Sequence, residues 1–172
     1  TLLSAHHLGD KLEWFLMQLS RGAGLVELLG MQEIEEREHY TLIRPLLHVS
    51  KKTLQAYLQA HNIAYFNDES NDSLAYLRNQ FRHHYANPLI ENYEAGIAKS
   101  FDYMEEDAKR LLPHQAIRIQ DLFILPKDND ELINIRHIDK TLKRLGILLS
   151  KAQRDEILKT KDCVIGGKIA VC

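Results

Sequence analysis

The chain has 172 residues, 45% of them hydrophobic, which is enough to bury one ordinary core or two small ones. Its 22 lysines and arginines stand against 24 acids, so bulk charge gives no sign of nucleic-acid binding. The two cysteines, Cys163 and Cys172, form no zinc or Cys-x-x-Cys redox motif, and the absence of a signal peptide or long apolar run predicts a soluble, cytoplasmic protein.

Residues 1–5 read as the end of a buried strand, and Leu12, Phe15, Leu16 and Leu19 then recur at helical spacing within a helix over 10–21. His6, His7 and Asp10 fall between them, at the carboxyl edge of the strand, where open parallel sheets bind ligands. Asp10 and Glu13 are three apart and project from one face, close enough to share a hard cation. The same spacing fits a helix start in which Asp10 caps backbone N–H groups and Glu13 reaches back. Both readings stay open.

Strand-like pieces at 40–44 and 63–66 alternate with helical patterns at 51–61 and 74–84, as an α/β layer requires, with Ser50 as N-cap of the helix carrying Leu54, Tyr57 and Leu58. The acidic, amide-rich loop at 67–72 runs into a segment with Arg78 and Arg82 one turn apart, a doubly positive face suited to bidentate phosphate contacts. Asn87-Pro88 is expected to break this pattern and divide the chain into 1–87 and 88–172.

Beyond it, Ile90, Tyr93, Ile97, Phe101 and Met104 predict a long helix over 89–111 with a core-forming stripe. Pro113 and Pro126 bracket a strand-like IRIQDLFIL, and 130–146 returns to helix. Ser150 to Gln153 fits a capping box for a helix ending near Lys161, and Gly166-Gly167 predicts a two-residue hairpin turn. From Arg136 to Lys161 eight bases outnumber three acids, and Arg136, Lys140, Lys143 and Arg144 are candidates for contacts to nucleic-acid phosphates; a solvated helix face explains them equally well.

AHHLGDKLEWFLMQLSRGAGLVELLGM resembles the tRNA(Ile)-lysidine synthetase pattern of paired histidines, acids, a helix and an RGSG-like loop. IRPLL at 43–47, DESN at 68–71 and RNQFR at 78–82 follow in that family's order, so the resemblance covers residues 1–90 and is weak afterwards. It implies a Rossmann-like PP-loop ATPase domain, its C-terminal part in 1–87, followed by a mainly helical domain. The family's SGGxDS phosphate loop does not occur here, so the chain is expected to be part of a longer enzyme and inactive alone.

By that resemblance ATP, with Mg2+, activates C2 of the wobble cytidine in a CAU anticodon and free L-lysine displaces AMP, giving lysidine. Asp10 and Glu13 resemble the catalytic acids, Asp10 also as a Mg2+ ligand; Arg78, His6, His7 and Arg21 resemble nucleotide- and phosphate-binding positions. The implied partners are tRNA(Ile) and lysine, with no membrane and a homodimer left open.

The chain departs from the family at Gly9-Asp10, where two consecutive acids are usual, at Lys11, where Gln is common, and at Trp14, read as a packing change. Those departures and the absent loop sustain the alternative of a tRNA-binding module or a degenerate, non-catalytic homologue. A tRNA thiolase would carry Cys-x-x-Cys, and a metal hydrolase using His6, His7 and Asp10 would need adjacent histidines on one face, which a strand does not provide.

Overall fold

A computed structural model describes all residues except 38, 67–74, 113–115, 161, 162, 166, 168 and 172. The expectations for the loop containing DESN, for Pro113 and for Gly166 lie outside the described residues. Two compact units are present, Thr1–Glu106 and Asp107–Cys172.

The first unit is mixed α/β. Strand β1 (Leu2–Leu3) pairs in parallel with β3 (Thr41–Ile43), and β2 (Ile34–Glu36) pairs antiparallel with β3, giving the order β1-β3-β2. The parallel strand and following helix anticipated from the first residues are thus present, though β1 is shorter than 1–5. Residues 63–66, expected as a strand, carry no strand.

Helix α1 (Leu8–Leu19) begins two residues earlier than predicted because His7, not Asp10, is its N-cap. A short helix α2 (Leu25–Leu28) follows, then α3 (Lys51–Ala60), capped by Ser50 Oγ accepting the Thr53 N–H at 3.2 Å, as its sequence signature requires. The Leu8 N–H donates to the Val49 carbonyl at 3.0 Å, tying the start of α1 to the segment ahead of α3.

The apolar stripe of α1 is only partly as expected. Leu8 and Leu12 are buried, but Leu19 is exposed, and Asp10, Lys11 and Glu13 are buried in its place. Burial of three charges in two turns is tolerable only if each is paired, and each is.

Helix α4 (Leu77–Phe81) passes through a π-helical turn, Arg82–Ala86, into α5 (Asn87–Leu111). Asn87-Pro88 therefore does not interrupt the helix. The Asn87 N–H bonds five residues back to the Arg82 carbonyl, and Pro88, which has no N–H to contribute, follows immediately after this widened turn. The stripe on α5 buries Phe101, packed edge-on to Phe15 with ring centroids 5.5 Å apart, whereas Tyr93 has non-helical angles and is exposed.

In the second unit, the IRIQDLFIL segment folds back on itself: β4 (Ile117–Ile119) pairs antiparallel with β5 (Leu122–Ile124), turning at Gln120 with φ of +54°. Helix α6 (Glu131–Arg144) has Asp130 as N-cap, and α7 (Lys151–Thr160) starts with the predicted capping box, Ser150 Oγ accepting from Gln153 N–H and Gln153 Oε1 from Ser150 N–H. Ile135, Leu142, Leu149 and Ile157 form the core of this unit. Strands β6 (Cys163–Ile165) and β7 (Ile169–Val171) make the terminal hairpin, but the register pairs Ile165 with Ile169, leaving three residues between the strands rather than two, with Gly167 at φ +69°.

Candidate functional site

The polar cluster of the first unit is assembled at the N-terminal half of α1. His7 Nδ1 accepts the Gly9 N–H at 3.0 Å while Asp10 Oδ2 accepts the His7 N–H at 3.0 Å. The capping box thus runs from His7 to Asp10, one turn ahead of the Asp10–Glu13 frame considered from sequence. Glu13 is left with no capping duty and points into the interior.

There it meets two arginines. Arg78 Nε donates to Glu13 Oε1, and Arg82 Nε donates to Glu13 Oε2 at 2.8 Å. The Nη2 atoms of Arg78 and Arg82 lie 3.4 and 3.3 Å from Asp10 Oδ1. Glu13 is 1% exposed and the Asp10 side chain 11%, whereas the Arg78 side chain is 47% exposed. Two acids and two arginines therefore form a charge-balanced quartet, sealed on the side of the acids and open on the side of Arg78. Sequence spacing placed Arg78 and Arg82 on one face but gave no sign that both turn to Glu13.

The histidines sit beside the quartet. His6 Nδ1 is hydrogen-bonded to Ser4 Oγ, and His7 Nε2 lies 3.5 Å from Asp10 Oδ2. Burial lowers the pKa of both below the usual imidazole value, against the opposing pull of Asp10. Gly9 is required by this packing, since a Cβ there would lie 2.9 Å from His7 Cε1.

Next to Glu13, Lys11 Nζ pairs with Glu105 Oε1 at 2.7 Å and lies 4.8 Å from the Phe101 ring centroid. Sequence spacing alone did not reveal this contact, because Glu105 is distant in the chain. Arg21, a candidate from sequence, is in the exposed turn after the C-terminal end of α1, about 15 Å along the axis from Asp10. The structure does not bring it to the quartet. Trp14 Nε1 donates to the Glu27 carbonyl at 3.1 Å, a packing contact.

On α6, Arg136 lies 3.8 Å from Asp139 Oδ2, and Asp139 also accepts from Arg154 at 2.8 Å. Lys140 is half-buried, which lowers its pKa, with Arg144 adding to the effect. Among the described residues, no three His, Cys, Asp or Glu side chains converge as a metal-binding group, and no helix is long and apolar enough to cross a membrane.

Residues 1–89 match the family described as a PP-loop domain. The chain belongs to the PP-loop family. It is 50% identical over 171 residues to a tRNA(Ile)-lysidine synthase of Campylobacter jejuni (strain RM1221), covering 99% of this chain and 51% of that protein. It is 42% identical over 172 residues to a tRNA(Ile)-lysidine synthase of Wolinella succinogenes, covering 99% of this chain and 52% of the relative. A Helicobacter pylori (strain 26695) protein of the same name is 42% identical over 159 residues, 92% of this chain and 46% of its own length. The chain thus spans about half the length of the curated relatives it matches. Within the PP-loop match lie all four members of the quartet, both histidines and Arg21.

Proposed function

We propose that this chain is part of an ATP-dependent ligase that joins lysine to C2 of the wobble cytidine of tRNA(Ile) with a CAU anticodon. The single observation that carries the reading is the Asp10–Glu13–Arg78–Arg82 quartet inside the PP-loop match, supported by relatives named tRNA(Ile)-lysidine synthase. In this reading residues 1–87 are the C-terminal part of a Rossmann-like nucleotide-binding domain and 88–172 a mainly helical domain.

The chemistry has two steps. The cytidine C2 oxygen attacks the α-phosphorus of ATP, pyrophosphate leaves, and the lysine amine then attacks C2 and expels AMP. Arg78 binds the phosphates bidentately and holds them in line for displacement, and His6 and His7 shape the pocket beside them.

Asp10, the more exposed acid of the quartet, would hold Mg2+, an ion bound through one or two carboxylates together with substrate phosphates. When bound it neutralises charge on the departing pyrophosphate. Arg136, Lys140, Lys143 and Arg144 on α6 contact the tRNA backbone, and a homodimer is compatible with this assignment.

The test is incorporation of labelled lysine into a tRNA(Ile) transcript by the full-length protein with ATP and magnesium. Incorporation is expected, reduced by about 100-fold or more in Asp10→Asn, as removal of a group that stabilises transition-state charge requires. A folded full-length protein that binds the transcript but transfers no lysine would establish the non-catalytic alternative.

A further inference from the structure

We propose that Ser4 is a positioning residue of the nucleotide site: its hydroxyl fixes the His6 ring so that the Nε2–H edge meets a phosphate oxygen of the nucleotide. This rests on the nucleotide-binding reading above. The two histidines are not equivalent. His7 Nδ1 accepts the Gly9 N–H at 3.0 Å and its Nε2 lies 3.5 Å from Asp10 Oδ2, so both of its ring nitrogens are committed to the start of α1. His6 has one committed nitrogen, Nδ1 on Ser4 Oγ, and among the described residues its Nε2 has no hydrogen-bond partner.

Ser4 is itself held. Its N–H donates to the Ile43 carbonyl at 2.9 Å, one step beyond the Leu3–Ile43 pair, so it stands at the carboxyl edge of the parallel strands β1 and β3, the edge at which such sheets bind ligands. A hydroxyl carries one hydrogen, and among the described residues the His6 ring is the partner of Ser4 Oγ. Were Nδ1 the donor, that hydrogen would be left to water. With Ser4 as the donor it is satisfied within the protein, and the neutral ring carries its own hydrogen on Nε2. Burial favours the neutral ring, the charges of Arg44 and Arg78 act in the same direction, and Asp10 and Glu13 oppose them. The ring thus lies within the field of the quartet, where a neutral N–H donor suits an anionic oxygen and adds nothing to the balance of two acids and two arginines.

The experiment records the imidazole nitrogen resonances of histidine-labelled full-length protein beside calorimetric ATP binding, for the unaltered protein, Ser4→Ala, Ser4→Thr and His6→Ala. In the unaltered protein the His6 signals, assigned by their loss in His6→Ala, should show a protonated Nε2 and an unprotonated, hydrogen-bonded Nδ1. Ser4→Ala should move both nitrogens toward the averaged values of a free imidazole and weaken ATP binding about 3- to 10-fold, the value of one neutral hydrogen bond. Ser4→Thr keeps the hydroxyl and should restore both readouts.

In the double variant Ser4→Ala/His6→Ala the loss should not exceed that of His6→Ala alone, because Ser4 acts through the ring. A His6 ring protonated on Nδ1 in the unaltered protein overturns the proposal, whether or not any variant folds. So does a folded Ser4→Ala with unmoved His6 signals, a folded Ser4→Thr that behaves as Ser4→Ala, or a double variant whose loss is the product of the single losses. A purely structural role for Ser4 would lower the melting temperature and leave the Kd of the folded protein unmoved, which also overturns it. An unaltered full-length protein that binds no ATP overturns the functional reading and the proposal with it, a failure distinct from a wrong tautomer.

Discussion

Replacing Glu105 by Gln should destabilise the chain more than replacing Lys11 by Met, although the two residues form one ion pair. Lys11 is the sealed partner, with a side chain 3% exposed, whereas that of Glu105 is 17% exposed. Glu105→Gln leaves the ammonium buried with an amide oxygen and the face of Phe101, which costs about 3 kcal/mol, the low end for a broken buried pair. Lys11→Met keeps an unbranched side chain against Phe101 and leaves the carboxylate where water reaches it, for a loss of about 1 kcal/mol.

The double variant removes both charges and should return to within about 1 kcal/mol of the parent, a coupling too large for independent sites. Urea unfolding followed by circular dichroism measures all four proteins. In thermal melts, Glu105→Gln should fall by roughly 6–12 °C for a chain of this size. A Lys11→Met loss equal to or above that of Glu105→Gln, or a double variant as unstable as the sum of the singles, refutes the assignment of Lys11 as the sealed charge.

His6 and His7 have pKa values lowered by burial, so below pH about 6.5 the unfolded chain takes up protons that the folded chain resists, and stability should drop as pH falls from 7 through 6. His7→Gln should flatten that slope in chemical-denaturation curves, and an unaltered slope would show that other groups cause it. Gly9→Ala should push the His7 ring out of its packed position and raise its pKa toward the free value, visible in an NMR titration; an unmoved titration would mean that the ring was never held by the bare Cα. Ser150→Ala removes the N-cap acceptor of α7 and should cost about 0.5–2 kcal/mol, with melting temperature as the readout and no change as the contrary result. Lys143→Ala should weaken tRNA binding by the full-length protein and reduce the salt slope by about 1; a slope unchanged across salt concentrations would remove α6 from the interface.

Local signals were the legible part of this sequence. The caps at Ser50 and Ser150, the periodic helices and the parallel strand leading into α1 depend on residues within a few positions of one another, and the structure contains them. The candidate acids and Arg78 were legible through motif order, and their pairing follows from the complementary charges. What could not be read was long-range partner choice. Asp10 fits either frame of a capping box, and only the fold of His7 over Gly9 selects the earlier one. Asn87-Pro88 has the chemistry of a helix stop, yet the preceding turn adopts five-residue hydrogen bonding that no local composition rule encodes. The apolar count that made Leu19 a core residue ignored the charged pairs that take up the interior face of α1 instead.

The π turn at Arg82–Ala86 also sets a rotational phase. At about 100° per residue, Arg82 and Glu105 would stand roughly 140° apart around an uninterrupted α-helix. One extra residue in a single turn takes up about 100° of that before the run reaches its break at Tyr93. Both in fact reach α1, Arg82 at Glu13 and Glu105 at Lys11, with the departure at Tyr93 lying between them. Arg82 and Glu105 thus grip α1 from either side of the break at Tyr93, at two residues that are neighbours on it, as the two jaws of one clamp. Straightening the break at Tyr93 into regular helix would leave every side chain in chain order yet carry one jaw out of reach of α1.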